Sequence, residues 1–72
     1  MKIGDVVQLT EDITADVGRT NELYFGHGTR GVILKYDELL RTAYVKFYIT
    51  ETIGYCTYCS IDILKLLPYF MD

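Results

Sequence analysis

Two patterns in this 72-residue chain have the spacing of chemistry. Gly26-His27-Gly28-Thr29-Arg30-Gly31 reads as G-x-G-x-x-G, in which backbone amides and a following helix hold a pyrophosphate. Here Val32-Ile33-Leu34 follows, which is a strand signal, and the chain is too short for a doubly wound sheet. The glycines are therefore expected to allow positive φ and a tight turn into a strand. Cys56-x-x-Cys59 has the spacing of half a zinc site or of a redox pair. Tetrahedral zinc needs four ligands, and the chain adds only His27, far earlier, unless a carboxylate such as Asp62 joins. A redox pair should open a helix beside a βαβ unit, and that context is missing. In a strand of period two, positions 56 and 59 point to opposite faces, so one thiol is expected in the core and the other at the surface. Metal shared across a dimer by Cys56 and Cys59 is the alternative.

His27 with either cysteine has the residue types of a base and a nucleophile, but no third group orients the histidine by sequence. Glu11, Asp12 and Asp16 lack the regular ligand spacing of a calcium loop and read as a solvated acidic loop. No catalytic set and no cofactor are expected. The tyrosines remain: Tyr24, Tyr36, Tyr44, Tyr48, Tyr55, Tyr58 and Tyr69, joined by Phe25. A small barrel has no room inside for all of them, so several must lie at the surface. Tyrosine offers large amphipathic area at low entropic cost, which suits a partner surface. The competing reading uses the same rings to cover barrel ends and to form cross-strand pairs.

The elements that must position these residues follow from composition and period. Half of the residues are apolar, enough for a core and too many for a disordered chain. The length allows one domain, 1–72, near the size at which a core can only just close. The net charge is −3, and the seven basic residues are scattered among ten acids, which disfavours a phosphate-binding surface without excluding a local one. Met1 to Asp5 carries no apolar signal region, no run approaches a membrane span, and two close cysteines suit a reducing compartment, so a cytoplasmic chain with free thiols is expected.

Val6 to Thr10 alternates as a first strand, with Val7 and Leu9 on one face and Ile3 joining them across a Gly4-Asp5 turn. A long loop then runs to about Phe25, with Ile13 pinned inward. Arg30 to Tyr36 reads as the second strand, and Ala43 to Ile49 as the third, with Val45 and Phe47 inward and Tyr44, Lys46 and Tyr48 outward. Between them, Leu39 and Leu40 are expected to cover one barrel end. Thr52 to Thr57 makes the fourth strand, Ser60 caps a short turn, and Leu64 to Leu67 the fifth before Pro68 stops it. An apolar tail, Tyr69-Phe70-Met71, then asks for cover, for which a second copy of the chain is one source.

Five short strands, one long early loop and a short turn before the last strand resemble the SH3-like small barrel. The Gly28-x-x-Gly31-x-Ile33 spacing is similar to KOW-type and related bacterial versions. A narrower resemblance is to the NifZ-type nitrogen-fixation accessory proteins. It is carried by a similar Gly-Asp-x-Val opening, a Gly-x-Val strand, a Val-x-Phe strand (Val45-Lys46-Phe47) and a late segment that Ile53-Gly54-Tyr55-Cys56 matches, in that order. What the resemblance implies is an all-β, single five-stranded barrel.

The expected function is a non-enzymatic protein-interaction module, or a small accessory or phage-encoded inhibitor that docks on a larger complex. It would present Tyr24, Tyr36, Tyr44, Tyr48 and Tyr58 near Glu11, Asp12 and Asp16 to a short basic or proline-containing segment. A second reading is a KOW-like or Tudor-like nucleic-acid module, in which tyrosines stack on bases and Arg19, Arg30, Lys35 and Lys46 meet phosphates. The cysteine-bridged metal dimer is the third.

Overall fold

The computed structural model describes residues 1–16 and 21–67. The sequence expectations for Arg19, Pro68 and the Tyr69-Phe70-Met71 tail, and for the side chain of Asp16, lie outside the described residues.

The fold is all-β. Among the described residues seven strands form in chain order: β1 (Val6–Leu9), β2 (Ile13–Asp16), β3 (Glu22–Phe25), β4 (Arg30–Asp37), β5 (Thr42–Tyr48), β6 (Gly54–Ser60) and β7 (Leu64–Leu66). A 3-10 turn, Ile61–Ile63, separates the last two. Five strands make one antiparallel sheet in the order β6-β5-β4-β1-β7, and β2 pairs with β3 in a separate hairpin. The expected single closed barrel of five strands is therefore two sheets. In the larger one β6 and β7 are edges rather than neighbours.

The hairpin corrects the expected long loop. Ile13-Thr14-Ala15-Asp16 pairs with Glu22-Leu23-Tyr24-Phe25, and alternation turns Ala15 and Phe25 into the core while Thr14 and Tyr24 face outward. Four residues per strand are too few for a period of two to stand out among turn formers. Tertiary packing supplies what the local signal lacks: the Phe25 ring lies 5.3 Å from that of Phe47 and 6.4 Å from that of Tyr55. Val7, Leu9, Ile33, Ala43, Val45 and Leu64 complete the buried cluster from the larger sheet. Ile13 packs against this cluster as expected, from a strand instead of a loop.

Two apolar residues expected inside lie outside. Ile3 is 67% exposed, because Gly4 at φ +93° reverses the chain and brings Met1 against the core instead. Leu39 is 96% exposed and Leu40 71%, at the tip of the β4–β5 hairpin. That tip is shaped by polar contacts, with Asp37 Oδ1 accepting from the Leu40 amide and Arg41 at φ 53°, so its leucines project past the core. Ile61 and Ile63 of the 3-10 turn pack on the cluster instead. Their turn is set by Ser60, whose Oγ accepts from the Asp62 amide at 3.2 Å. The fourth expected strand also shifts, to β6. The Thr50 hydroxyl accepts from the amides of Thr52 and Ile53, which keeps those residues in the turn. Among the described residues, no helix is long and apolar enough to cross a membrane.

Candidate functional site

The outer face of β4, β5 and β6 gathers the aromatic and cationic side chains. Register decides which. Between Ile33 and Lys35 the β4–β5 pairing slips by one residue at Leu34. Before this bulge, Gly31 and Ile33 point inward with Phe47 and Val45; after it, Tyr36 faces inward with Ala43 and Lys35 faces outward with Tyr44. Without the slip Lys35 would point into the core.

Tyr44 and Tyr58 are direct cross-strand partners, and their rings tilt against each other at a centroid distance of 4.6 Å. Lys35 Nζ lies 5.8 Å from the Tyr44 ring centroid, and Lys46 Nζ lies 5.9 Å from that of Tyr48. Lys35, Tyr36, Asp37, Thr42, Tyr44 and Tyr58 line an open cavity of about 240 Å³ beside the ring pair. That is below the roughly 300–1,000 Å³ of a pocket that engulfs a small molecule, so it suits one side chain of a larger ligand. Tyr58 is 64% exposed, while Tyr44 is half-buried beneath its neighbours. Desolvation, then the nearby Cys56 thiol, raises the Tyr44 phenol above its ordinary value, so the hydroxyl stays neutral and can donate or accept.

Tyr24 and the acidic residues lie elsewhere. Tyr24, 63% exposed, stands on the outward face of the β2–β3 hairpin and hydrogen-bonds Asp12, which raises its phenol and lowers the Asp12 carboxyl. Asp12 Oδ1 also accepts from the His27 amide at 2.7 Å and lies 3.5 Å from His27 Nδ1. Because the core lies between the two sheets, Tyr24 and Asp12 face away from Tyr44 and Tyr58. The expected set of Tyr24, Tyr36, Tyr44, Tyr48 and Tyr58 beside Glu11, Asp12 and Asp16 thus divides. Tyr44, Tyr48 and Tyr58 share one face, Tyr36 turns inward, Tyr24 and Asp12 belong to the hairpin, and Glu11 is exposed beside Asp12. The residues standing with the tyrosines are the lysines, which sequence reasoning assigned to phosphates. Arg30, exposed at the start of β4, points outward by the same alternation and pairs in register with Gln8 of β1, at the other end of β4 from Lys35.

The cysteines separate as the strand period expects. Cys59, opposite Ala43, packs on the core, and burial pushes its thiol up to about 11. Cys56, opposite Lys46, is on the outer face beside Tyr44. Two thiols on opposite faces do not chelate one ion, and among the described residues no group of three histidine, cysteine or acidic side chains could hold a metal. Of the Gly-rich run, Gly28 takes φ +90° in the turn before β4. Gly31 serves close packing, since a Cβ there would sit 2.7 Å from Val45 Cγ1 and 2.8 Å from the Lys46 carbonyl. Comparison with protein-family models, with curated proteins and with solved structures found no match to this chain.

Proposed function

We propose that this chain is a non-enzymatic protein-interaction module, a small SH3-like domain that receives a segment of a larger protein on the outer face of β4, β5 and β6. The observation that carries the reading is the Tyr44–Tyr58 pair standing open beside the cavity, with Lys35 Nζ over the Tyr44 ring. Paired rings lose little further entropy on binding and offer both apolar area and hydroxyls. The SH3-like assignment is supported by strand order: one long early excursion, a three-strand meander, a 3-10 turn, and a last strand that returns beside the first. Lysines flank the tyrosines, so the expected ligand is acidic and aromatic-compatible rather than basic.

Capture from lysate of the tagged chain and of the Tyr44→Ala/Tyr58→Ala variant tests this reading. A partner held by the first and lost by the second, with the variant still folded by circular dichroism, supports it; equal capture by both removes it. A nucleic-acid module is the second reading, favoured by the same two lysines beside the rings. Phosphate-borne binding would weaken steeply with rising salt and vanish with nuclease, whereas a ring-centred protein contact would not.

A further inference from the structure

We infer that β6 is a docking edge that takes an extended, acid-bearing segment of the partner protein as a sixth strand of the larger sheet; this rests on the interaction-module reading and names how the partner is held. The two edges of that sheet are built differently. β7 has three residues, one of them the exposed Lys65, and short charged strands are how proteins protect an edge from stray pairing. β6 runs for seven residues, Gly-Tyr-Cys-Thr-Tyr-Cys-Ser, pairs with β5 along its whole length, and contains no charge and no proline. Its own seven residues therefore carry neither the charge nor the proline that commonly guards an edge.

The side chains around β6 say what chemistry fits. Gly54 leaves a gap on the outer face, and the Lys46 side chain fills it: a Cβ at Gly54 would lie 2.8 Å from Lys46 Cε and 3.0 Å from its Cγ. The lysine stem therefore lies over the first residue of the edge strand. Among the described residues the ion pairs are His27–Asp12 and Arg41–Asp62, so Lys46 has no carboxylate partner. A strand added beside β6 sets one outward side chain next to Gly54, where a carboxylate meets Lys46. Two residues on, and again two beyond, its side chains lie beside Cys56 and Tyr58, which favours apolar or aromatic residues there. A second copy of this chain satisfies the edge less well. Antiparallel pairing of two β6 strands over all seven residues places Ser60 of the second copy beside Gly54, and the strand contains no acid to offer.

The test uses the full isotope-labelled chain and a defined peptide, acetyl-Tyr-Thr-Val-Thr-Glu-Thr-Val-Thr-Tyr-amide, which sets Val and Tyr two and four residues from the glutamate on its own face in either strand direction, followed by amide chemical shifts. Expected are shifts concentrated in Gly54 to Ser60, affinity weakened about three- to fivefold when the peptide glutamate becomes lysine, and that preference reversed in Lys46→Glu. Binding should be lost when every internal peptide amide is N-methylated, because strand addition is carried by main-chain hydrogen bonds. Shifts confined to β7 or the hairpin, indifference to N-methylation, no shift with any peptide at millimolar concentration, or sedimentation showing β6 occupied by a second copy would each overturn the proposal. If partner capture depends on Tyr44 and Tyr58 while no peptide engages β6, the edge proposal fails and the interaction reading stands. If the peptide engages β6 while capture ignores the tyrosines, the edge stands and the tyrosine face falls.

Discussion

The two faces of β5 come from one seven-residue strand and answer to different physics. Its inward residues, Ala43, Val45 and Phe47, are at most 1% exposed and meet both sheets. Its outward residues, Tyr44, Lys46 and Tyr48, meet neighbours in their own sheet: Tyr58 and Lys35 around Tyr44, and Lys46 over Tyr48. Burial of an aromatic ring contributes several kcal/mol, whereas a cross-strand pair on an open face contributes roughly 0.2–1 kcal/mol. The inner face therefore holds the fold, and the outer face can change without unfolding it. That freedom suits a recognition surface.

The comparison breaks if the outer face proves as costly to alter as the inner one. Phe47→Ala is expected to lose about 3–5 kcal/mol, a large part of the stability of so small a domain, measured by urea unfolding. Gly31→Ala follows at about 1–3 kcal/mol, because the new methyl overlaps Val45 Cγ1, the Lys46 carbonyl and Phe47 Cδ1, of which the carbonyl is backbone and cannot rotate away. Tyr58→Ala should cost about 0.5–1.5 kcal/mol while abolishing partner capture. A loss comparable to that of Phe47→Ala would erase the distinction between the faces.

The cysteines sharpen the same comparison within one strand. Thiol titration near neutral pH should modify Cys56 first and Cys59 only slowly. Cys59 also predicts an alkaline limb. Its folded thiol is raised from 9.0 to about 11, so its contribution is complete below 9.0 and is lost as pH rises through the folded value. Partial solvent access limits this to about 1 kcal/mol. Cys59→Val should flatten stability between those two pH values, and an unchanged slope in the variant would reject burial as the cause.

The smallest effect is at acid pH, on surfaces away from the core. Asp12, held down by Tyr24 and His27, and Asp62, held down by Arg41, both have folded carboxyls below the ordinary 3.8. Each contributes stability that is present above that value and is lost as pH falls through the lower folded one. Asp62→Asn should soften the acid limb slightly without touching partner capture, as followed by thermal unfolding at low pH.

Much of the larger sheet was legible because its strands are long enough to show their period. β5 carries three inward and four outward positions, and Val45 and Phe47 could be placed from alternation alone. Ser60 likewise announced the short turn through its cap. The β2–β3 hairpin was not legible, since Ile-Thr-Ala-Asp and Glu-Leu-Tyr-Phe become strands only by placing Ala15 and Phe25 against the core of another sheet. The grouping of the tyrosines failed to show for a related reason. A single extra residue at Leu34 reverses the faces of everything after it in β4, and nothing in Val-Ile-Leu-Lys-Tyr marks where that residue falls.

Composition and alternation were enough to read this chain as a β protein with Val45 and Phe47 inside, and to set Cys56 and Cys59 on opposite faces of any strand that holds both, although the expected strand stopped at Thr57. Those properties depend on composition and on a period of two, which are local. Alternation also put Tyr44, Lys46 and Tyr48 on one face, but packing between distant strands decided that Lys35 and Tyr58 join them, that Tyr24 and Asp12 belong to another, and that β6 is left as an edge. Register, a bulge and sheet order depend on which distant strands meet, and that is settled by packing across the whole molecule.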